Sequence, residues 1–191
     1  MSGAPVLKTA RLLLRPWVDA DVDAWAALNA DPRVMEFFPS TYDRARSERT
    51  AAAMRQALVR DGYGWWAVEV LGGAAFAGVV ALSEVPFDAP FTSAFEIGWR
   101  FAHAYWGQGY ATEGARAALT FAFDVLGREQ VVAMTALPNH RSQRVMQRLG
   151  LQHDVRDDFD NPRLEAGHRL RRHVLYRLGR AHWATLQRGT A

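Results

Sequence analysis

A short stretch with two glycines, between a predicted strand and a predicted helix, carries the strongest chemical signal in the chain. Its sequence is Trp106-Gly107-Gln108-Gly109-Tyr110-Ala111-Thr112-Glu113. Glycines at the start of a helix leave backbone N–H groups uncovered, and the helix dipole adds partial positive charge there. Such a site is suited to a phosphate or a pyrophosphate, so the stretch predicts a phosphorylated ligand.

Two common nucleotide-binding motifs do not fit this stretch. A dinucleotide fingerprint, G-x-G-x-x-G, would need a third glycine where Thr112 stands, and Gly114 comes two residues late. A P-loop would need a lysine, and the stretch contains none. From the stretch alone, a glycine-rich connection that binds nothing stays an open alternative.

A second polar pair, Asn139 and Ser142, opens another predicted helix directly after Pro138. Asparagine is a preferred N-cap residue, because its side-chain oxygen accepts from N–H groups of the first turn. The residues alone therefore predict a capped helix. The apolar side chains expected to face inward are Val145, Met146 and Leu149.

The elements that position these residues follow from apolar periodicity and from turn residues. Strands are predicted at residues 9–17, 65–71, 76–85, 94–101, 131–137, 151–155 and 173–178. Helices are predicted at 19–28, at 43–60, from the glycine stretch to 126, from 138 to 150, and at 181–187. Residues 156–168 are predicted to form a polar loop. The strand at 94–101 alternates cleanly, with Glu96, Gly98 and Arg100 on one face.

Composition narrows the class of protein. The chain has 191 residues with 49% hydrophobic and 23% charged residues, which predicts one soluble globular domain over residues 1–191. It has no cysteine, which excludes disulfides and cysteine nucleophiles and fits a cytoplasmic protein. The six histidines show no metal-ligand spacing, and no apolar run is long enough for a membrane span. A net charge of +3 is weak evidence for a nucleic-acid partner.

Four sequence blocks occur in a characteristic order along nearly the whole chain. They are 9–16 (TARLLLRP), 76–78 (FAG) with 96–99 (EIGW), 105–113 (YWGQGYATE) and 139–151 (NHRSQRVMQRLGL). Together they resemble the GNAT N-acetyltransferase superfamily and, within it, the RimJ/RimL-type branch. Mixed strands and helices also favour an α/β or α+β fold. The resemblance implies a mostly antiparallel sheet of about seven strands with a splayed parallel pair, flanked by helices.

The resemblance also implies an acetyl-CoA cosubstrate and assigns residues to it. The strand ending at Trp99 and Arg100 would pair its backbone with the pantetheine arm. Asn139 would hydrogen-bond that arm, and Ser142 would lie near the sulfur. The pyrophosphate would be held by N–H groups of the loop, those of Gln108, Gly109, Tyr110, Ala111 and Thr112. The chain departs from the family pattern at Trp106, where a Gln or Arg donor is common.

Glu96 is the residue expected to act as general base, since the resemblance places its carboxylate beside the thioester. The implied reaction is direct transfer of the acetyl group to a primary amine, with Ser142 assisting the departing sulfur. The alternative for Glu96 is a structural ion pair with an arginine such as Arg100. Glu113 favours a structural role, because an acidic residue suits the first turn of a helix.

The sequence does not identify the acceptor. Aromatic residues at 37, 38, 65 and 66 and an acidic loop, residues 157–160 with Glu165, either contribute to an acceptor site or serve the core and the solvated surface. A protein N-terminus and a small-molecule amine both fit the family, and a homodimer is common in this branch. A GNAT-fold domain that binds acyl-CoA or a partner without turnover is the competing hypothesis. No nucleic-acid or membrane partner and no metal are expected.

Overall fold

The computed structural model describes residues 5–85, 87–89, 91 and 94–189, and these residues hold nine strands and five α-helices. By its internal contacts the chain divides into two compact units. The first unit comprises the residues up to Ser83 together with Gly98–Ala118. The second comprises Glu84–Ile97 together with the residues from Leu119 onward. The expectation of a single domain over residues 1–191 stays a prediction.

The first unit contains an antiparallel sheet built from the start of the chain. Its strands are β1 (Leu7–Lys8), β2 (Leu12–Arg15), β3 (Trp65–Val70) and β4 (Gly78–Glu84). Each pairs with the next, with Leu14 opposite both Leu7 and Val68. The strand predicted at 9–17 is shortened to Leu12–Arg15, because a turn closed by the Thr9 N–H on the Leu12 carbonyl at 2.9 Å takes its first residues. Strand β1 lies before the predicted span.

The helices of this unit begin and end where capping residues place them. They are α1 (Asp21–Ala30), α2 (Arg44–Asp61) and most of α3 (Tyr110–Thr120). The Asp43 carboxylate caps α2 by accepting from the Arg46 N–H at 2.7 Å. Gly62, with a φ of +72°, ends the same helix in the left-handed region.

Helix α1 begins two residues later than the sequence predicts, because i→i+3 turns precede it, with Asp21 N–H on the Val18 carbonyl at 3.0 Å and Val22 N–H on the Asp19 carbonyl at 3.2 Å. Its first residue, Asp21, has a tertiary role. Its carboxylate is 2% exposed and accepts hydrogen bonds from Arg15 at 2.8 and 2.9 Å. Arg15 in turn contacts Glu69 at 3.0 Å, so the buried charge is paired. Beside this group lies an aromatic core, in which Trp17 meets Trp25 edge to face at 5.5 Å.

The second unit is organised around one central strand, β9 (Arg172–Gly179). Three strands pair with it in antiparallel register: β6 (Gln130–Ala136), β7 (Gln152–His153) and β8 (Phe159–Asp160). Strand β5 (Phe95–Phe101) joins β6 in parallel, with Phe95 opposite Val131 and Glu96 opposite Val132. Helices α4 (His140–Arg148) and α5 (Arg180–Arg188) complete the unit. A π-helical turn, Phe121–Val125, follows α3.

The predicted fold class is confirmed: the protein is a mixed α/β structure, mostly antiparallel, with one parallel pair and flanking helices. The parallel register covers two residue pairs, although β6 continues to Ala136.

The described residues hold nine strands rather than about seven. One added strand, β8, lies inside the region predicted as a loop. Phe159 explains it, since its ring packs against Phe91 at 4.9 Å and against Phe87 at 5.9 Å.

Gly78 allows the close approach of two backbone segments in the first unit. A Cβ placed there would lie 2.3 Å from the Arg100 carbonyl oxygen and 2.7 Å from the Phe101 Cα. We expect Gly78→Ala to lower the free energy of unfolding by more than about 2 kcal/mol, because backbone atoms cannot move aside as a side chain can. Urea denaturation of both proteins measures this.

The matched control is Gly73→Ala, where the nearest atom is a Val70 methyl at 3.4 Å. That variant is expected to change stability by less than about 1 kcal/mol. Equal midpoints for the two variants would contradict the proposed crowding at Gly78.

Candidate active site

The glycine stretch forms a tight turn between β5 and α3. A short 3₁₀-helix, His103–Tyr105, follows the strand, and α3 begins at Tyr110. Gly107 has a φ of +75° and Gly109 a φ of +82°, which side-chain-bearing residues adopt only with strain. A Cβ at Gly107 would meet no atom within 4 Å. Backbone conformation, rather than crowding, therefore requires glycine at this position.

This turn leaves the first N–H groups of α3 uncovered. The Glu113 N–H is the first to reach back along the helix, donating to the Gly109 carbonyl at 3.0 Å. The N–H groups of the preceding helical residues, Tyr110, Ala111 and Thr112, have no intrahelical acceptor by helix geometry. Together with the helix dipole they suit an anion, which is the arrangement that the sequence predicts. Anion binding itself stays a prediction.

Arg11 clamps this turn from the opening strand region. Its Nη1 donates to the Gln108 carbonyl at 3.0 Å, while its Nε donates to the Glu113 carboxylate at 2.7 Å. The Arg11 backbone N–H and the Thr9 hydroxyl donate to the same carboxylate at 2.9 and 2.6 Å. Burial alone would raise the pKa of Glu113, but these donors outweigh it and hold the pKa low. Glu113 therefore has the structural role expected of it.

The role of Arg11 does not follow from the sequence. The block at 9–16 resembles the family but does not indicate this contact. Its contact with the turn joins residues 97 to 102 positions apart, which no local pattern reveals. The signal that could have found it is the acidic Glu113, which needs a cation or several donors once it is partly buried.

Trp106, the departure from the family pattern, supports the base of the same turn. Its indole N–H donates to the Phe101 carbonyl at 2.8 Å, and its ring lies 4.9 Å from that of His103. The Gln108 side chain donates to the Ala104 carbonyl at 2.9 Å. Both side chains are thus used to hold the turn, which leaves the backbone N–H groups as the available donors.

Trp99 and Arg100 lie at the end of β5, where the sequence predicts a backbone contact with the pantetheine arm. Trp99 is partly exposed, whereas the Arg100 side chain is buried. Arg100 Nη1 donates to Asn29 Oδ1 at 2.5 Å, and its guanidinium lies 4.0 Å from the Phe38 ring. Of the aromatic residues considered for the acceptor site, Trp66 is fully buried, while Phe38 remains partly exposed.

Glu96 lies on β5 within the second unit, opposite Val132. Burial raises the pKa of its carboxyl to about 7, and the charge of Arg163 opposes the rise only in part. A carboxyl group with such a pKa is suited to exchange a proton near neutral pH. Its expected alternative partner, Arg100, donates instead to Asn29.

Asn139 caps α4, as the sequence predicts. Its side-chain oxygen accepts from the Ser142 N–H at 3.2 Å, and its amide nitrogen donates to the Thr135 hydroxyl at 2.9 Å. One N–H and one lone pair of the amide remain for a ligand. The Ser142 hydroxyl is partly exposed and makes no hydrogen bond to a residue that the structure describes.

The aspartates of the acidic loop have partners within the second unit. Asp157 pairs with Arg177 at 2.6 Å, and Asp158 contacts the His153 ring at 2.7 Å. Asp160 lies 3.2 Å from Arg171. These pairs favour the structural interpretation of the loop over attraction of a cationic acceptor.

Among the residues that the structure describes, no group of three or more His, Asp or Glu side chains is arranged to hold a metal ion. No helix in the same part of the chain is both long and apolar enough to cross a bilayer.

The raised pKa of Glu96 has a measurable consequence for stability. Between pH 4.5 and about 7 the folded protein holds a proton that the unfolded chain releases, so this group lowers stability as the pH rises through that window. Glu96→Gln removes the effect. We therefore expect the variant to gain roughly 3 kcal/mol at most over the parent protein between pH 5 and pH 8, measured by urea denaturation.

Glu113→Gln is the control, because the pKa of Glu113 is lowered rather than raised on folding. Its stability relative to the parent protein should change little between pH 5 and pH 8, since both the folded and the unfolded carboxyl are mainly ionised there. If the stability difference between Glu96→Gln and the parent protein is also constant over this pH range, the Glu96 carboxyl does not titrate there.

Comparison with known proteins agrees with this geometry. Residues 11–152 match the acetyltransferase (GNAT) domain family. The chain is 34% identical over 200 residues to the FsC-acetyl coenzyme A-N(2)-transacetylase of Aspergillus fumigatus, covering 98% of this chain and 82% of that protein.

Solved structures share the fold. A GNAT-family acetyltransferase from Bacillus anthracis superposes with a TM-score of 0.77 at 22% identity, over 93% of this chain and 99% of that one. RimL, a ribosomal α-N-protein acetyltransferase solved with coenzyme A, gives 0.73 at 14% identity, with the same coverage of each chain. At these identities the structures bear on the fold alone. With the family match over most of its length, the chain belongs to the GNAT acetyltransferase family and is an acetyl-CoA-dependent acyltransferase.

Proposed function

We propose that the protein is an N-acetyltransferase that transfers the acetyl group of acetyl-CoA directly to a primary amine. The observation that carries the proposal is the uncovered start of α3, set by the left-handed Gly107 and Gly109 and clamped by Arg11. A pyrophosphate fits this start because N–H groups and the helix dipole supply its charge complement.

The cosubstrate would be held by the residues that the family resemblance assigns to it. N–H groups of the turn and of the first turn of α3 take the pyrophosphate, those of Gln108, Gly109, Tyr110, Ala111 and Thr112. The backbone of Trp99 and Arg100 would hydrogen-bond the pantetheine arm. The Asn139 amide N–H that is not bonded to Thr135 would donate to the same arm. When bound, acetyl-CoA supplies an acetyl group activated as a thioester.

Glu96 is proposed as the general base. An amine attacks only when neutral, and a lysine-type amine with a pKa near ~10.4 is neutral to less than about one part in a thousand at pH 7. The Glu96 carboxyl, with its pKa raised to about 7, is partly ionised at neutral pH and basic enough to accept the proton. Ser142 donates a hydrogen bond toward the departing sulfur, since its hydroxyl has no described partner.

One relative supports nitrogen as the acceptor atom. The Aspergillus fumigatus protein, 34% identical to this chain, is named an N(2)-transacetylase. A protein N-terminus and a small-molecule amine are the two candidate acceptors. We also propose that residues 1–191 form one domain and that the protein belongs to the RimJ/RimL-type branch. We further propose that it is cytoplasmic and forms a homodimer.

The binding half of the proposal is tested at Gly109. Gly109→Ala forces a side chain into a left-handed backbone, which costs about 1–2 kcal/mol and turns the N–H groups away from their common target. We expect calorimetric titration with acetyl-CoA to show at least about tenfold weaker binding. Gly72→Ala is the control, since Gly72 has a φ of +72° in the turn between β3 and β4, and it should bind acetyl-CoA like the parent protein.

Equal acetyl-CoA affinity for Gly109→Ala and Gly72→Ala would contradict the assigned cosubstrate site. Release of free thiol, measured over a panel of primary amines, separates the enzyme from a domain that only binds. Tight acetyl-CoA binding without thiol release on any amine would favour the binding domain.

A further inference from the structure

Arg100 is a buried cation that lacks an acidic partner in the part of the chain that the structure describes. Its side chain is 8% exposed. Its Nη1 donates to the neutral amide of Asn29, and its Nε has no hydrogen-bond partner. Buried charges in proteins are normally paired, because a cation removed from water without a counter-charge is costly. The position therefore calls for an explanation beyond folding.

The surroundings hold the guanidinium in place without neutralising it. Three aromatic rings lie around it: Phe38 at 4.0 Å, Trp25 at 5.1 Å and Tyr42 at 5.6 Å. Aromatic faces attract a cation but carry no net charge. Asn29 is itself fully buried and fixed against Ser47 of α2. Burial lowers the pKa of Arg100, while Tyr42 partly offsets the shift.

A second arginine stands on the solvent side of the same tyrosine. The Arg46 guanidinium lies 3.8 Å from the Tyr42 ring, and its side chain is exposed. Its hydrogen bond goes to the Ser40 hydroxyl at 3.4 Å, and no ion pair links it to an acid among the described residues. Arg46 and Arg100 repel each other across Tyr42. Two cations held this close create a local positive potential that attracts an anion.

The geometry of Arg100 selects the kind of anion. Asn29 takes Nη1, and the Tyr42 side chain is a second hydrogen-bond partner, so the buried Nε is the guanidinium nitrogen without one. A carboxylate would supply an acceptor for Nε and the counter-charge that the guanidinium lacks. Phe38 and Tyr42 are partly exposed and lie on the non-helical segment 32–43. Their rings suit the carbon skeleton of an organic acid.

We propose that Arg100, with Arg46 beyond Tyr42, forms a carboxylate site that selects an amine acceptor carrying a carboxylate group. The identification of that ligand as the acceptor rests on the proposed N-acetyltransferase function. The anion site itself rests on the buried guanidinium and its neighbours.

A binding experiment tests the site without turnover. The probes are 3-phenylpropionate and its neutral amide, titrated calorimetrically into the full chain. We expect the carboxylate to bind at least about tenfold more tightly than the amide. Arg100→Met should remove this preference, and the exposed Arg46→Met should reduce it about threefold. Arg49→Met, on the exposed face of α2, is the matched control and should leave it intact. Equal binding of acid and amide, or binding of neither, would overturn the proposal.

A kinetic experiment then tests the link to the acceptor. Acetyl transfer is compared between amino acids and their carboxamides, as the ratio of kcat/KM values. Arg46→Met should lower this ratio through the acceptor KM while leaving the KM for acetyl-CoA unchanged. Since Arg46 is exposed, it gives an answer even where Arg100→Met fails to fold. A loss shared equally by acids and amides would contradict carboxylate selection.

The two experiments separate the proposals. Absence of acetyl transfer to every amine, with the carboxylate preference intact in calorimetry, would reject the enzyme and keep the anion site. Acetyl transfer with no acid preference in either experiment would keep the enzyme and reject the anion site.

Discussion

The left-handed turn at Gly107 and Gly109 is the constraint on which the proposed chemistry depends. Because both residues have positive φ values, the chain reverses sharply and α3 begins with its N–H groups uncovered. The Arg11 side chain fixes that geometry, because it donates hydrogen bonds both to the Gln108 carbonyl in the turn and to the Glu113 carboxylate. Since the ion pair is partly exposed, its contribution is to position the turn more than to stabilise the fold.

Burial shapes the two ionisable groups on β5, each within its own unit. Desolvation raises the pKa of Glu96 and lowers that of Arg100, so both are moved toward their neutral forms. The interactions that oppose these pKa shifts differ. The Arg163 charge opposes the shift of Glu96, whereas Arg100 has aromatic rings, the Asn29 amide and the Tyr42 side chain but no acidic partner among the described residues. A carboxyl titrating near neutrality is suited to proton transfer, and a charge without a counter-charge is suited to ligand binding.

Local sequence rules account for much of the fold and part of the site. Alternation placed β5 correctly, and Asn139 caps α4 because asparagine after proline favours that position. What the sequence could not give depends on distant contacts. Strand β8 exists because Phe159 packs on Phe87 and Phe91, which lie far from it along the chain.

The same distinction between local and distant contacts applies to the site. The turn before α3 is predictable from its glycines, since they act through local backbone conformation. The contacts of Arg11 with the turn and the burial of Arg100 are not predictable from the sequence, since each joins residues about 70 to 100 positions apart. Tertiary packing, rather than residue type, decides which of the many arginines is exposed and which is buried.

The most direct test of the central claim is an amide chemical-shift titration of the ¹⁵N-labelled protein with CoA and, in parallel, with pantetheine. Pantetheine lacks the pyrophosphate. If the start of α3 holds that group, the amides of Tyr110, Ala111 and Thr112 shift strongly with CoA and hardly at all with pantetheine. Equal shifts with both compounds, or none at these amides with CoA, would contradict the account.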